Sequence, residues 1–254
     1  MLRLSEALAV NAVAFYGLTR DDWSLATLLV VYWGENLMNT VFVGGRILLH
    51  RVLTRKRGHW TVPRTTTFTT EINGKVTKHA AGEPTTLLAD FVRTNLIFTL
   101  THGIFVFGFV FGVLDLGPSG PSVRYGLLAM LTAQAIGFAV DAATIRERSF
   151  VWIRRRADAA QGRMLVLHLG LIGGAFVLVW TERPPSFFVV FVVLKLLYDL
   201  ASAAPWKQEL PERPPGARSA LGRTANKPGV ADVWKNEVDA QRRKQTEDEE
   251  PMPA

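Results

Sequence analysis

The chain has 254 residues, carries 29 Lys and Arg against 22 Asp and Glu for a formal net charge of +7, and contains no cysteine. The lack of cysteine excludes disulfides, thiolate metal ligands and cysteine nucleophiles within this sequence. The positive balance would suit nucleic acid in a soluble protein, but here the basic residues flank long apolar segments, as membrane orientation requires, so we expect no nucleic-acid partner.

The shortest apolar segment, residues 4–18, comes first and contains Glu6 and Asn11. It is a spanning helix with polar interruptions, a re-entrant segment or the apolar part of a cleaved signal, and we favour a retained helix. Five longer apolar segments follow, and each approaches or exceeds the roughly 20 residues that a helix needs to cross a bilayer core. They cover residues 23–49, 87–116, 125–145, 164–181 and 186–204. The expected fold class is therefore all-α, an integral membrane bundle of about six transmembrane helices over residues 1–205.

Charge in the connecting segments predicts the orientation of this bundle. Short cytoplasmic loops accumulate Lys and Arg, and two segments do so here, 51–86 and 146–163, whereas the other connections are short and hold a single Arg each. We therefore expect a multi-pass protein of the plasma (inner) membrane with both termini in the cytoplasm. The basic loops would meet the lipid bilayer at its anionic lipid headgroups.

Two regions are expected outside the bilayer. Residues 51–86 form a basic cytoplasmic loop, in which Asn73-Gly74 between threonine-rich and apolar residues predicts a small β-hairpin. Residues 206–254 are rich in Pro, charged residues and Gln, which predicts a flexible charged cytoplasmic tail. A short helix over residues 230–244 is compatible with the tail sequence, and an acidic run occupies residues 247–250.

Polar and ionisable residues lie within the apolar segments, where an isolated charge is costly and must find a partner. The helical rise places Glu35, Asn36, His102, Gln134 and Lys195 at one depth. It places Asn39, His168 and Asp199 about one turn closer to the cytoplasm, with Asp141 and Arg93 lower still. The outer half has almost no ionisable group, so the polar cluster should open toward the cytoplasm or be sealed. The expected intramembrane cluster is Glu35, Asn36, Asn39, His102, Asp141, His168, Lys195 and Asp199.

We expect Glu35 to pair with Lys195, and His168 with Asp199. These residues form either a structural ion-pair network that fixes the helix register or a functional site. His102 and His168 are packing residues, proton carriers or metal ligands, and they are the metal-ligand candidates of this chain. Asp141 and Arg93 lie nearer the interface, where structural roles are favoured.

Four short motifs on different helices resemble those of a known family. They are Tyr32-Trp33-Gly34-Glu35-Asn36, His102-Gly103-Ile104-Phe105, Leu167-His168, and Leu194-Lys195 with Asp199-Leu200. In this order they are similar to a family of uncharacterised prokaryotic multi-pass membrane proteins, the domain of unknown function six-four-nine-eight, over most of residues 10–200. The resemblance implies a multi-helix membrane protein without an established activity. Relatives can carry further polar residues after the position of Asp199, which residues 200–205 lack, and this departure leaves a histidine-rich metal set incomplete.

Three functions from different classes fit these observations. A transporter or proton-coupled carrier would use the intramembrane carboxylates, His102 and Lys195 as a midplane site. An intramembrane metal-dependent enzyme would need both histidines and a carboxylate to converge. A structural or partner-binding protein would use the polar network only to hold the bundle together. Transport is marginally favoured because the metal set is incomplete; the substrate, cofactor, catalytic residues and oligomeric state are not determined by the sequence.

Overall fold

The computed structural model describes residues 11, 12, 15–17, 23–60, 67–72, 75–80, 85–112, 117–181, 184–203 and 230–252. This part of the chain is predominantly helical, as expected. The helices are α1 (Leu25–Thr54), α2 (Leu87–Gly112), α3 (Gly120–Thr144), α4 (Phe150–Thr181), α5 (Pro184–Ala203) and α6 (Val230–Glu249). Single 3-10 turns at Arg57–His59 and Ile145–Glu147 follow α1 and α3. Of the shortest apolar segment, residues 4–18, only residues 11, 12 and 15–17 are described, and they are helical.

Two antiparallel strands lie where the hairpin is expected. β1 (Thr67–Ile72) pairs with β2 (Lys75–Ala80), and the register sets Ile72 opposite Lys75 and Thr67 opposite Ala80. The register leaves two residues, Asn73 and Gly74, to connect the strands, although these two lie outside the described residues.

Local capping explains where the helices begin and end. The Ser24 side chain accepts a hydrogen bond from the Thr27 N–H at 3.1 Å, which satisfies a free donor at the start of α1. The same helix ends at Arg55, which adopts a left-handed conformation with φ of 50° and donates its N–H to the Arg51 carbonyl at 3.0 Å. At the start of α4, the Ser149 side chain accepts a hydrogen bond from the Trp152 N–H at 3.2 Å.

Helix α1 is the centre of the bundle and packs against α2, α3 and α4, while α4 also packs extensively against α5. The end of the bundle where α1 ends and α2 and α4 begin is called the basic end here. It holds a hydrophobic core made of Val43, Ile47, Leu87, Phe91, Phe150, Ile153, Ala157 and Ala160. At the opposite end the Ser119 N–H donates to the Thr27 hydroxyl at 3.0 Å, which ties the start of α3 to the start of α1.

Large apolar side chains cover much of the outer surface of the helices. Ile104, Phe176 and Trp180 are 78%, 72% and 90% exposed. Two helical stretches in the described chain, Leu87–Gly108 and Gly120–Glu147, are long and apolar enough to cross a membrane, and most residues of both lie outside the buried interior. A helix in the core of a soluble protein would instead be mostly buried. These two helices give the protein a weak but consistent membrane signature.

The C-terminal segment differs from the flexible tail that its composition predicts. Within the described residues, α6 is a 20-residue helix whose end packs on the basic end of the bundle. The Arg57 N–H donates to the Glu250 carbonyl at 2.8 Å, and the Met252 N–H donates to the Arg55 carbonyl at 3.0 Å. Composition predicts order only from the apolar surface that the tail can bury by itself. The observed contact is polar and is made with another part of the chain.

Candidate functional site

Four charged side chains meet in the interior of the bundle, and we call them the ion cluster: Glu35, Arg163, Lys195 and Asp199. The Lys195 Nζ lies 2.8 Å from one carboxylate oxygen of Asp199 and 3.4 Å from Glu35 Oε1. The Arg163 guanidinium lies 2.9 Å from the other Asp199 oxygen and 3.3 Å from Glu35 Oε1. Each cation therefore contacts both carboxylates, and the four formal charges sum to zero.

Burial makes this cluster energetically important. The side chains of Glu35, Lys195 and Asp199 are each 1% exposed, whereas Arg163 is 22% exposed. A buried charge is tolerated only when it is paired and hydrogen-bonded, so the balance of two carboxylates and two cations is what permits the cluster to exist. Arg163 is the member through which the cluster reaches the surface.

Neutral side chains complete the surroundings of the ion cluster. The Asn11 amide donates to Asp199 Oδ2 at 2.9 Å, and its carbonyl oxygen accepts from Lys195 Nζ at 3.2 Å. The Lys195 ammonium also lies 5.1 Å from the centre of the Tyr32 ring, a cation–π distance. Spacing in α5 explains part of the geometry, because residues four apart share one helix face, as Lys195 and Asp199 do.

The two candidate metal ligands also come together. His102 Nδ1 and His168 Nε2 are 3.3 Å apart, and the His168 ring packs against Phe98 with ring centres 4.1 Å apart. The expected His168–Asp199 pair is wrong. His168 contacts His102, and Arg163 and Lys195 bind the Asp199 carboxylate instead. No group of three or more His, Cys, Asp or Glu side chains suited to a metal ion occurs in the described ranges.

Asp141 belongs to a separate charged group nearer the basic end. Its Oδ2 lies 2.7 Å from Arg46 Nε and 2.8 Å from an Arg156 nitrogen, so one carboxylate joins α1, α3 and α4. Arg93, expected at a similar depth, is exposed. Asp141 thus links helices, which fits the structural role favoured for a residue near the interface. Its ion pairs are with Arg46 and Arg156 and not with members of the ion cluster.

Several buried polar atoms make no hydrogen bond within the part of the chain that the structure describes. One is the second carboxylate oxygen of Glu35, Oε2. Further examples on α1, α2 and α3 are Asn36 Oδ1, Asn95 Oδ1, Thr99 Oγ1 and Gln134 Nε2. Such groups retain the capacity to bind water or polar solutes, because leaving a buried donor or acceptor without any partner is costly.

A second histidine pair lies at the basic end. His50 Nδ1 and His59 Nε2 are 2.7 Å apart, and His50 Nε2 lies 3.1 Å from the Arg148 carbonyl. A carbonyl only accepts, so His50 Nε2 carries hydrogen, its Nδ1 accepts, and His59 Nε2 is the donor. Burial, followed by the charges of His50, Arg51 and Lys56, lowers the pKa of His59 to about 3. Both rings are therefore neutral at physiological pH, and burial also lowers the pKa of His50.

The structure brings together only part of the expected intramembrane cluster. Glu35, Lys195 and Asp199 meet, and the expected Glu35–Lys195 pair is confirmed at 3.4 Å. Asn36 is buried, with an Oδ1 that makes no hydrogen bond within the described residues, and Asn39 is half-buried. The remaining expected residues separate into the His102–His168 pair and the Asp141 group described above.

Arg163 is the main member that sequence reasoning missed. It was counted with the basic loop before the apolar segment at 164–181, whereas α4 already begins at Phe150. A signal was available, because Arg156 and Arg163 are seven residues apart on one helix face and no proline occurs between them. At about 1.5 Å per residue the 32 residues of α4 span about 48 Å, which is more than the thickness of a bilayer core. The helix therefore extends beyond the apolar segment and includes Arg163.

The fold and its interior define a class: a predominantly helical protein with membrane-length apolar helices and a buried, charge-balanced ion cluster. Within that class the chain belongs to the family of unknown function DUF6498, whose model matches residues 2–222. The family resemblance of the sequence motifs is thereby confirmed. Neither the curated proteins nor the solved structures give a match to this chain.

Proposed function

We propose that the protein is a multi-pass protein of the plasma (inner) membrane, with about six spanning helices and both termini in the cytoplasm, and that it works as a proton-coupled carrier. The exposed apolar faces of the two membrane-length helices support membrane insertion. The gathering of Arg51, Lys56, Arg57 and Arg148 at one end of the bundle supports a cytoplasmic location for that end.

The observation that carries the proposal is the ion cluster itself. It joins three helices, since Glu35 lies on α1, Arg163 on α4, and Lys195 and Asp199 on α5. Intramembrane ionisable groups of this kind mark proton and substrate pathways in transporters. Adding a proton to either carboxylate would leave an excess positive charge on two cations that hold three helices together, so proton binding and helix packing are coupled.

Glu35 is the carboxylate best placed to exchange the proton. Its contacts with Arg163 and Lys195 are 3.3 and 3.4 Å, longer than the 2.9 and 2.8 Å contacts of Asp199 with the same cations. Oε2 of Glu35 makes no hydrogen bond within the described residues, and both ion pairs of Glu35 are made by Oε1. Oδ1 of Asp199 also makes no hydrogen bond there, but it lies 2.9 Å from Arg163 Nε, so Oε2 is the freer oxygen to receive a proton. Asp199 then retains both cations while Glu35 changes its charge.

Infrared difference spectroscopy tests this step directly. The chain has 22 Asp and Glu, so the spectra of the variants are compared with one another. As pH falls, wild type and Asp141→Asn, which removes a carboxylate from the separate arginine group, should share one protonated carboxyl band that Glu35→Gln lacks. A band that persists unchanged in Glu35→Gln would contradict the role of Glu35.

Transport is then measured in inverted membrane vesicles with a pH-sensitive dye. After a proton gradient is imposed, a panel of cationic, anionic and zwitterionic solutes is added in turn. A coupled substrate should dissipate the gradient with wild-type protein and with Asp141→Asn, but not with Glu35→Gln. Equal dissipation by wild type and Glu35→Gln for every active solute would refute coupling through the ion cluster.

A metal-dependent membrane enzyme is the second candidate, and the His102–His168 geometry favours it. Two nitrogens bound at about 2.0–2.1 Å to tetrahedral zinc are separated by about 3.3 Å. The His102 Nδ1 to His168 Nε2 distance is 3.3 Å. The two nitrogens therefore have the separation of neighbouring ligands, although here the two rings are hydrogen-bonded to each other. The described residues supply no third His, Asp or Glu for the same ion.

Elemental analysis separates this candidate from the carrier. The purified protein is compared with His102→Ala and His168→Ala, with His79→Ala as a matched histidine variant. Stoichiometric zinc, iron or copper in the wild type and His79→Ala, lost in both other variants, would support the enzyme. A content unaffected by His102→Ala and His168→Ala would exclude these histidines as ligands.

A further inference from the structure

We propose that residues 248–252 form a releasable latch on the basic end and that anionic lipid headgroups compete with it for the same cations. This inference rests on the proposed function only in placing the basic end at the cytoplasmic membrane surface. The partner is defined by its chemistry, a phosphate oxygen at a negatively charged bilayer. No motif in the acidic tail predicted this contact.

Three successive acidic residues of the latch each meet a different cation. Asp248 lies 3.8 Å from Arg154, Glu249 lies 2.7 Å from Lys56, and Glu250 lies 4.0 Å from Arg57. Two backbone hydrogen bonds on either side of the Lys56–Pro251 bridge fix the register of the latch against the chain after α1. The contact is thus specific in geometry as well as complementary in charge.

Glu249 shows which ligand chemistry the basic end accepts. One carboxylate oxygen receives the Lys56 ammonium at 2.7 Å, and the other receives the Val151 N–H at 3.2 Å, in the first turn of α4. A helix N-terminus and a lysine together favour an oxyanion, and a lipid phosphate presents the same pair of acceptor oxygens. Burial raises the pKa of Glu249, but the Lys56 and backbone hydrogen bonds outweigh it and leave that pKa below its usual range.

The side chains of the latch ion pairs differ in exposure. Lys56 and Glu249 are 21% and 31% exposed and Asp248 is 10% exposed, whereas the other members are open to solvent. The side chains of Arg57 and Glu250 are 51% and 58% exposed, and Arg154 is 40% exposed. Exposed pairs are weak and are screened by salt, so a dense anionic surface can replace them. Juxtamembrane Lys and Arg are attracted to such a surface.

The latch connects the same helices that share the ion cluster. It contacts Lys56 after α1 and Val151 in α4, and those two helices carry Glu35 and Arg163. While docked, it holds the end of α1 against the start of α4. Release by lipid would remove this link and leave Lys56, Arg57 and Arg154 to the headgroups, while the hydrophobic core of the basic end still joins α1 to α4.

The experiment uses spin labels on the full-length chain, which has no native cysteine to remove. Cysteines replace Glu147, beside the start of α4, and Gln245, on α6, and both positions are exposed. Label distances are measured by pulsed electron resonance in nanodiscs of phosphatidylcholine and of phosphatidylglycerol. We expect one narrow distance in phosphatidylcholine at low salt, and a broad distribution in phosphatidylglycerol or at high salt.

Two charge variants test whether docking of the latch depends on Glu249 itself or on negative charge in general. Glu249→Gln should lower the docking equilibrium constant in phosphatidylcholine about fivefold, the upper range for loss of a partly exposed pair. Glu247→Gln removes the same charge from the neighbouring position, which pairs with no cation in the described residues, and should leave the narrow distance unchanged. An equal effect of both variants would replace the specific latch with a general charge effect and overturn it.

Release of the latch by anionic lipid can be refuted separately from its docking. Identical narrow distances in both lipids would exclude release by anionic headgroups, even if salt still released the segment. Broad distances in every condition would exclude docking altogether. The labels report the position of α6 and not proton flux. The latch can therefore be refuted without refuting the carrier, and the carrier without refuting the latch.

Discussion

The charge balance of the ion cluster can be tested by removing its members singly and together. Asp199→Asn removes the carboxylate that lies 2.8 Å from Lys195 and 2.9 Å from Arg163, and leaves two cations facing Glu35 alone. Breaking one side of a buried pair costs about 3–5 kcal/mol because a buried charge is left uncompensated. Lys195→Met should destabilise by a similar amount, with the opposite excess charge.

The double variant Asp199→Asn, Lys195→Met restores neutrality, because Glu35 and Arg163 remain. We expect its loss of unfolding free energy to be smaller than the sum of the single losses by about 1–3 kcal/mol. Denaturant titration in mixed micelles measures all four proteins. The pair Asp141→Asn, Lys195→Met is the control, since Asp141 binds other arginines and its effect should add to that of Lys195→Met. Additive losses for Asp199 and Lys195, or no loss in Asp199→Asn, would refute a charged, balanced cluster.

Three further predictions concern packing, the backbone and pH. A Cβ on Gly103 would lie 2.6 Å from the Trp33 indole nitrogen, so Gly103→Ala should destabilise the protein by about 1–3 kcal/mol in a melting assay. Gly108→Ala is the control, because nothing lies within 4 Å of its Cβ, and it should be neutral or stabilising. Similar effects of both variants would contradict the packing of Gly103 against Trp33. Arg55→Gly should raise the unfolding free energy by about 1 kcal/mol, because the φ of 50° suits glycine, and an equal gain from Arg55→Ala would show that backbone strain is not the cause. The folded pKa of His59 of about 3 lies below its unfolded value, so its contribution to stability is complete above about pH 6.5 and falls by about 1.4 kcal/mol per unit toward pH 3. His59→Gln keeps a hydrogen-bond donor and should flatten this dependence in denaturation curves; an unchanged slope would place the titration elsewhere.

The sequence predicted some interior contacts correctly and others not. Glu35 and Lys195 were paired by equal depth, and that pair exists because both helices face the same interior. His168 and Asp199 also shared a depth, yet they do not pair. Depth along a helix does not fix its rotation, and Arg163 from α4 takes the place at Asp199 that was expected for His168.

The length of the apolar segments determined by itself that the chain is predominantly helical, because this property is local to each segment. Two helices in the described residues are long and apolar enough to cross a membrane. The motifs determined the family, which the match over residues 2–222 confirms. Only the tertiary structure decided which charges meet. The ion cluster joins Glu35 to Lys195, Asn11 hydrogen-bonds to Asp199, and the latch joins Lys56 to Glu249. Those contacts depend on helix rotation and on the return of the C-terminus, which no local pattern encodes.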